Sequence, residues 1–412
     1  MTGFHLVTFF LSICIFTFNQ DPFLHERQEA AYIGMDFGAR LFYWLFRSRD
    51  YNENAPLILY LSGPAGCSEM PVVLEENGPF RIDNHTGKPF LTSNLYSWNA
   101  IADVLYMEQP IGTSYSDTSA INQIPTNESW LVEDLHTFFI KFFIRYPEYE
   151  GRDFYIAGQD FGVHYAISLA YYMEKHSYQD FHLKGLLLES GYFRFDTQLT
   201  FLPTFAAVSK ISTPFKRFSA SISVIASGLF DMLGMHSYAF MMYDLALIAL
   251  LGATKTLNPF DIRKPCCYDY NHIGKFLNQP DIKNAMHVTN GWTQECNFTT
   301  FQRMEKDIYT DFSKKLASLL DEYNLKVYVY NGNMDMMTNT EGLIHFLDLL
   351  KWSQELQWDL SHFHPFYANG LEKGLYKSYK NLFYMLSYNS GHRVSYDDPD
   401  VTFELLSRIL YG

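Results

Sequence analysis

One short stretch, Gly158-Gln159-Asp160-Phe161-Gly162, constrains this chain more than any other. Residues 153–157 before it form an apolar run of strand length, and residues 163–173 after it carry apolar side chains at helical spacing. Glycines on both sides let the chain turn sharply, so the middle side chain is held up at the end of a sheet. A strand, a small-x-x-x-small turn and a helix in this order make a nucleophile elbow. Here the residue at its tip is Asp160.

The flanking chain supplies the sheet. Apolar runs at 39–48, 56–61, 101–107, 183–188, 325–331 and 381–387 read as strands, several of them apolar almost throughout. Strands buried on both faces have this character. Between them the pattern predicts helices over 131–143 with Ser129 as N-cap, over 307–323, and from Pro399 through 409. The alternation predicts an α/β fold with a mostly parallel central sheet and helices on both faces. It stops between about 192 and 264, where several helices follow one another. One, 240–251, is very apolar, but Asp244 interrupts it and it is shorter than the roughly 18 residues a membrane span needs. We read this region as a helical cap over the mouth of the sheet. The core then runs over 21–191 and 266–412, with the cap inserted at 192–265.

A chain of 412 residues can bury a large core of this kind. Its net charge of −14, with no stripe of Lys and Arg, excludes nucleic acid as the expected partner. Residues 4–18 are almost wholly apolar and are followed by Asn19-Gln20-Asp21, the pattern of a signal peptide over 1–20. The bland alternative is a buried N-terminal strand or an uncleaved anchor. Asn84, Asn127 and Asn297 stand in glycosylation sequons, which fits a secretory route. With Cys14 removed, Cys67, Cys266, Cys267 and Cys296 form an even set that allows three pairings. No C-x-x-C or H-E-x-x-H occurs, so neither a metal nor another cofactor is expected.

Three strand-following loops carry Asp160, then Asp335, then His392. Nucleophile, acid, histidine is the chain order of α/β-hydrolases, whose ligands bind where such loops converge. Ser62-Gly63-Pro64-Ala65-Gly66-Cys67-Ser68 follows a buried strand and suits either close approach to a ligand or a plain tight turn.

At these residues the chain resembles the serine carboxypeptidase family. The resemblance rests on Leu41-Phe42-Tyr43-Trp44, on 61–68, on Glu76-Asn77-Gly78-Pro79-Phe80, and on 94–99, 105–112, 276–280 and Gly391-His392. It implies an α/β-hydrolase fold with a helical cap, and a disulfide between Cys67 and Cys296. It leaves Cys266 and Cys267 without assigned partners. It further implies that the backbone N–H of Phe161 is one oxyanion donor, and that Ser62, Glu76 and Gln159 occupy positions that hold a substrate's terminal carboxylate.

The departures carry the functional reading. The family's nucleophilic Ser is Asp160. The Gly whose N–H completes the oxyanion hole is Pro64, which has none. The family's carboxylate-binding Asn and Glu are Ser62 and Gln159, with Glu76 alone retained. The leading expectation is therefore a carboxypeptidase-like protein inactive as a peptidase, secreted or in a lysosomal or vacuolar lumen, that binds a peptide or small molecule. A second copy of the chain is carried as a further partner. One alternative is an Asp-nucleophile hydrolase of the epoxide or haloalkane type, because Gly-x-Asp-Phe-Gly resembles that elbow too. The other is a serine-type carboxypeptidase using Ser68 or Ser190. His392, placed between Asp160 and Asp335, is expected to rest as an imidazolium.

Overall fold

The computed structural model describes residues 21–412 except 86, 177–181, 253–256, 267 and 294. The N-terminal segment 1–20, Cys14 and Cys267 therefore lie outside the described residues. Ten described strands form one sheet: β1 (Gln28–Gly34), β2 (Arg40–Phe46), β3 (Leu57–Leu61), β4 (Asp103–Met107), β5 (Asp153–Gln159), β6 (His182–Glu189), β7 (Lys326–Gly332), β8 (His364–Ala368), β9 (Leu371–Tyr379) and β10 (Leu382–Ser387). Their spatial order is β1-β2-β4-β3-β5-β6-β7-β10-β9-β8. The six strands from β4 to β10 pair in parallel, and the outer strands pair antiparallel.

Strand period two explains how one sheet serves two cores. Leu57, Leu59 and Leu61 of β3 face one apolar layer, while Ile58 and Tyr60 face the other. The first layer is covered by helices Glu128–Arg145 and Gly162–His176, the second by Met70–Glu75, Asn271–Leu277 and Pro399–Tyr411. A third cluster, which includes Phe195, Leu202, Phe205, Tyr243 and Leu250, lies among the helices between β6 and β7. These helices are Phe195–Leu199, Leu202–Val208, Pro214–Met232 and His236–Leu251. Among the described residues no helix is long and apolar enough to cross a membrane.

Three local expectations are corrected. The helix expected from 131 begins at Glu128, and its N-cap is Asn127 rather than Ser129; Asn127 Oδ1 accepts the N–H of Trp130 at 3.0 Å. The helix expected over 307–323 is broken into a 3-10 turn, Glu305–Tyr309, and a helix, Ser313–Asp321. The break occurs where the Phe312 N–H bonds to the Phe193 carbonyl at 3.0 Å and the Phe312 ring stacks on His164 at 4.2 Å. Tertiary docking here overrides helix propensity. Finally, β1 at one edge of the sheet, and β8 at the other edge with its neighbour β9, were not expected, because their exposed faces dilute the apolar pattern.

Candidate active site

The elbow forms as its glycines require. Asp160 has φ +55, in the left-handed region. A Cβ on Gly162 would lie 1.9 Å from the Leu61 carbonyl oxygen, and one on Gly158 would lie 2.5 Å from that of Gly162. Only glycine permits β5, the turn and β3 to approach this closely. The Asp160 N–H bonds to the Glu189 carbonyl at 3.1 Å, and its carbonyl accepts from Val163 at 3.2 Å. The side chain is thereby raised at the carboxyl end of the sheet.

The loops after β7 and β10 bring Asp335 and His392 to the same point. His392 Nδ1 is 2.8 Å from Asp335 Oδ2, and Nε2 is 3.2 Å from Asp160 Oδ2. Asp335 is fixed by N–H bonds from Met337 at 2.8 Å and Thr338 at 3.2 Å, and by the Thr338 hydroxyl. The His392 N–H holds its own loop to the Phe260 carbonyl at 2.7 Å. All three side chains are buried. Burial lowers the His392 pKa, but the charges of Asp335 and Asp160 and their hydrogen bonds outweigh it and raise the pKa well above the ordinary imidazole value. Two carboxyl groups facing one imidazole favour its protonated form. Asp160 Oδ1 is buried and has no protein hydrogen-bond partner.

The small-residue loop after β3 packs against the elbow. A Cβ on Gly63 would lie 2.7 Å from the Phe161 backbone nitrogen. The backbone positions expected to frame an oxyanion are therefore neighbours, with Pro64 contributing no N–H on the loop side. Cys67 and Cys296 form a disulfide that ties this loop to the segment before Asn297. On both sides of it, Ser68 N–H bonds to the Glu295 carbonyl and Asn297 N–H to that of Gly66, each at 2.8 Å. Cys266 is also disulfide-bonded.

Glu76 is occupied within the fold. Its Oε2 accepts from Gln159 Nε2 at 2.8 Å, and its Oε1 accepts from Arg393 Nε at 2.6 Å. Sequence reading missed Arg393, although it directly follows His392. The only signal for it was a cation beside a site histidine. Its guanidinium also donates to Tyr270 Oη at 3.0 Å and packs on the rings of Tyr268 and Tyr396. Burial disfavours its charge, but Glu76, Tyr270 and Glu75 outweigh this. Ser62 lies beside this group without joining it: its carbonyl accepts from Gln109 at 2.9 Å and its N–H bonds to Glu69.

A cavity of about 270 Å³ opens over these groups, walled by Ser62, Pro64, Asp160, Tyr268, Glu295 and Arg393. Burial pushes the Glu295 pKa up to about 7, against the pull of Arg393. Neither serine suggested as a displaced nucleophile meets a histidine. Ser68 Oγ donates to Glu108 at 2.6 Å and accepts from Trp292 at 3.1 Å, and Ser190 Oγ is buried without a protein partner. Among the described residues no cluster of His, Cys, Asp and Glu could hold a metal ion. Of the sequon residues, Asn84 is exposed. Asn127 and Asn297 use Oδ1 to cap helices, and Asn297 Nδ2 donates to the Gly112 carbonyl at 2.8 Å.

A mostly parallel sheet with an elbow after β5 and acid and histidine loops after β7 and β10 defines an α/β-hydrolase. Within that class the chain belongs to the serine carboxypeptidase family, whose profile matches residues 18–412. It is 28% identical over 394 residues to serine carboxypeptidase 3 of Oryza sativa subsp. japonica, covering 91% of this chain and 77% of that one. It is 28% identical over 412 residues to carboxypeptidase Y of Komagataella phaffii strain GS115, covering 94% and 76%. Among solved structures, Kex1(delta)p, a prohormone-processing carboxypeptidase from Saccharomyces cerevisiae, superposes with a TM-score of 0.83. It shares 21% identity, with 95% of this chain and 92% of that one covered.

Proposed function

We propose that this serine carboxypeptidase-like protein has no peptidase activity and acts as a secreted or luminal binding protein. The observation that carries this reading is the Asp160 carboxylate, 3.2 Å from a histidine already bonded to Asp335. A triad needs a neutral imidazole to take a proton from its nucleophile. A histidine held between two carboxylates has no such capacity. Attack by Asp160 on an amide would also be futile, because the tetrahedral adduct expels the carboxylate more readily than the amine. Loss of the nucleophile costs on the order of 10⁶-fold in turnover. Pro64 in place of an oxyanion donor costs roughly 10²–10³-fold.

The cavity beside Asp160 is the proposed ligand site, for a peptide or a small molecule. Glu76 is bonded to Gln159 and Arg393, so the family's grip on a terminal carboxylate is replaced by an internal ion pair. The Cys67–Cys296 disulfide supports an oxidising compartment, as does the apolar segment at 4–18. Asn84 is the sequon residue best placed to carry a glycan. The division into core 21–191 and 266–412 with a cap at 192–265 follows the cap helices between β6 and β7.

The test is hydrolysis of blocked dipeptides and of ester substrates, at mildly acidic and neutral pH, by the purified secreted protein. No turnover above buffer is expected from wild type or from Asp160→Asn. Turnover that disappears in Asp160→Asn would overturn the reading.

A further inference from the structure

The cap helix Pro214–Met232 is inside out. The side chains it buries are small, namely Ala220, Val224 and Ser227, and the Ser227 hydroxyl bonds to the Ala239 carbonyl of the neighbouring helix at 2.8 Å. Its large apolar side chains face away: Phe215 is 80% exposed, Phe218 65%, Ile222 55%, Ile225 64%, Leu229 57% and Met232 84%. Scattered exposed apolar residues are normal, but a continuous stripe of this kind marks a contact surface.

The spacing along the stripe alternates strictly: three, four, three, four, three. That is the a/d repeat of a helix seam that packs knobs into holes on another helix. The positions beside it, Ser219, Ser221, Ala226 and Gly228, are small and uncharged, so a second backbone can come close. Gly228 makes the point most directly. It sits in mid-helix, where glycine costs stability relative to alanine, yet a Cβ added there would meet nothing within 4 Å. The folded monomer has no need of a glycine at this position. A helix laid against the seam would supply the need.

We propose that this helix is the seam of a homodimer, packed antiparallel against the same helix of a second copy. A seam that starts on a and ends on d is self-complementary in that orientation. Phe215 then faces Met232 of the partner subunit, Phe218 faces the partner's Leu229, and Ile222 faces the partner's Ile225. This is the isologous contact of a two-fold dimer. The six side chains expose on the order of 800 Å² per copy, the size per partner of a standard stable interface. A lipid surface fits the same stripe less well. Interfacial helices carry Lys and Arg along the polar face, and here only Lys216 and Arg217 stand at one end of a chain of net charge −14. The contact lies on the cap, so it is independent of whether the site around Asp160 turns over peptides.

The experiment is sedimentation velocity on the full secreted chain at about 10 μM, within the range in which interfaces of this size associate. The expected result is a dimer for wild type. Ile222→Glu with Ile225→Glu should raise the dissociation constant by roughly 100-fold or more with an unchanged circular dichroism spectrum, because both side chains are exposed in the monomer. Gly228→Leu provides the second variant. It adds helix propensity and meets no intramolecular neighbour, so weaker dimerisation without lost stability is expected from it. A monomeric wild type would overturn the proposal, and so would a dimer that neither substitution affects. Monomers that float with phosphatidylcholine–phosphatidylserine vesicles through these residues would assign the stripe to lipid and also overturn it.

Discussion

His392 Nε2 lies 3.2 Å from Asp160 Oδ2, so the elbow presents the imidazole with a charge to neutralise in place of a hydroxyl to activate. The chemistry of the site follows from that contact, and four measurements test it and its surroundings.

The His392 ring is expected to stay protonated at neutral pH, because two carboxylates outweigh the effect of burial. A folded pKa above the unfolded value of about 6.5 contributes stability that is fully present below the unfolded value. That contribution is lost as pH rises through the folded one. Imidazole NMR titration should show the raised value, and Asp160→Asn should lower it. Urea unfolding of wild type should weaken on the alkaline side of neutrality. A wild-type ring titrating below the ordinary imidazole value would refute the ion-paired array.

Restoring serine alone should not restore peptidase activity. Asp160→Ser supplies a nucleophile, but Pro64 still offers no N–H. The double variant Asp160→Ser with Pro64→Gly should exceed the single variant by roughly 10²–10³-fold in kcat, the value of one oxyanion donor. Equal rates for the two variants would show that Pro64 is not the missing element.

Arg393→Ala should destabilise the fold by about 3–5 kcal/mol, because it leaves Glu76 buried without its partner. Adding Glu76→Gln should recover part of that loss, since the stranded charge is then gone. The urea midpoints of the wild type, both single variants and the double variant form a cycle that reads the coupling. Strict additivity would mean the pair does not act as a pair.

Breaking the Cys67–Cys296 bond with Cys296→Ser releases a closure spanning 229 residues of sequence. The chain-entropy account puts the cost at about 5 kcal/mol for a loop of this length. Reductant titration followed by melting should show at least that loss in wild type, and in the variant only what the remaining disulfide of Cys266 contributes.

Much of this site could be read from residue order. Asp160 between two glycines, with Asp335 and His392 in later loops, identified the elbow and its partners, because backbone sterics and strand alternation are local signals. Glu76 was legible as a matching position, but its engagement by Arg393 was not. That contact joins residues 317 apart in sequence, and no local pattern encodes it. The break at Phe312 was hidden for the same reason: it is imposed by a bond to Phe193, on another part of the chain. The exposed apolar stripe on the helix Pro214–Met232 was visible only after folding, since apolar periodicity alone does not tell an inward face from an outward one.

The carboxylate at the elbow has a practical consequence for detection. Phosphonylating and sulfonylating reagents label serine hydrolases by forming stable esters with an activated hydroxyl. Asp160 would give a mixed anhydride, which water cleaves. A survey that counts hydrolases by covalent tagging will therefore pass over this protein, while one that counts peptides by mass will find it.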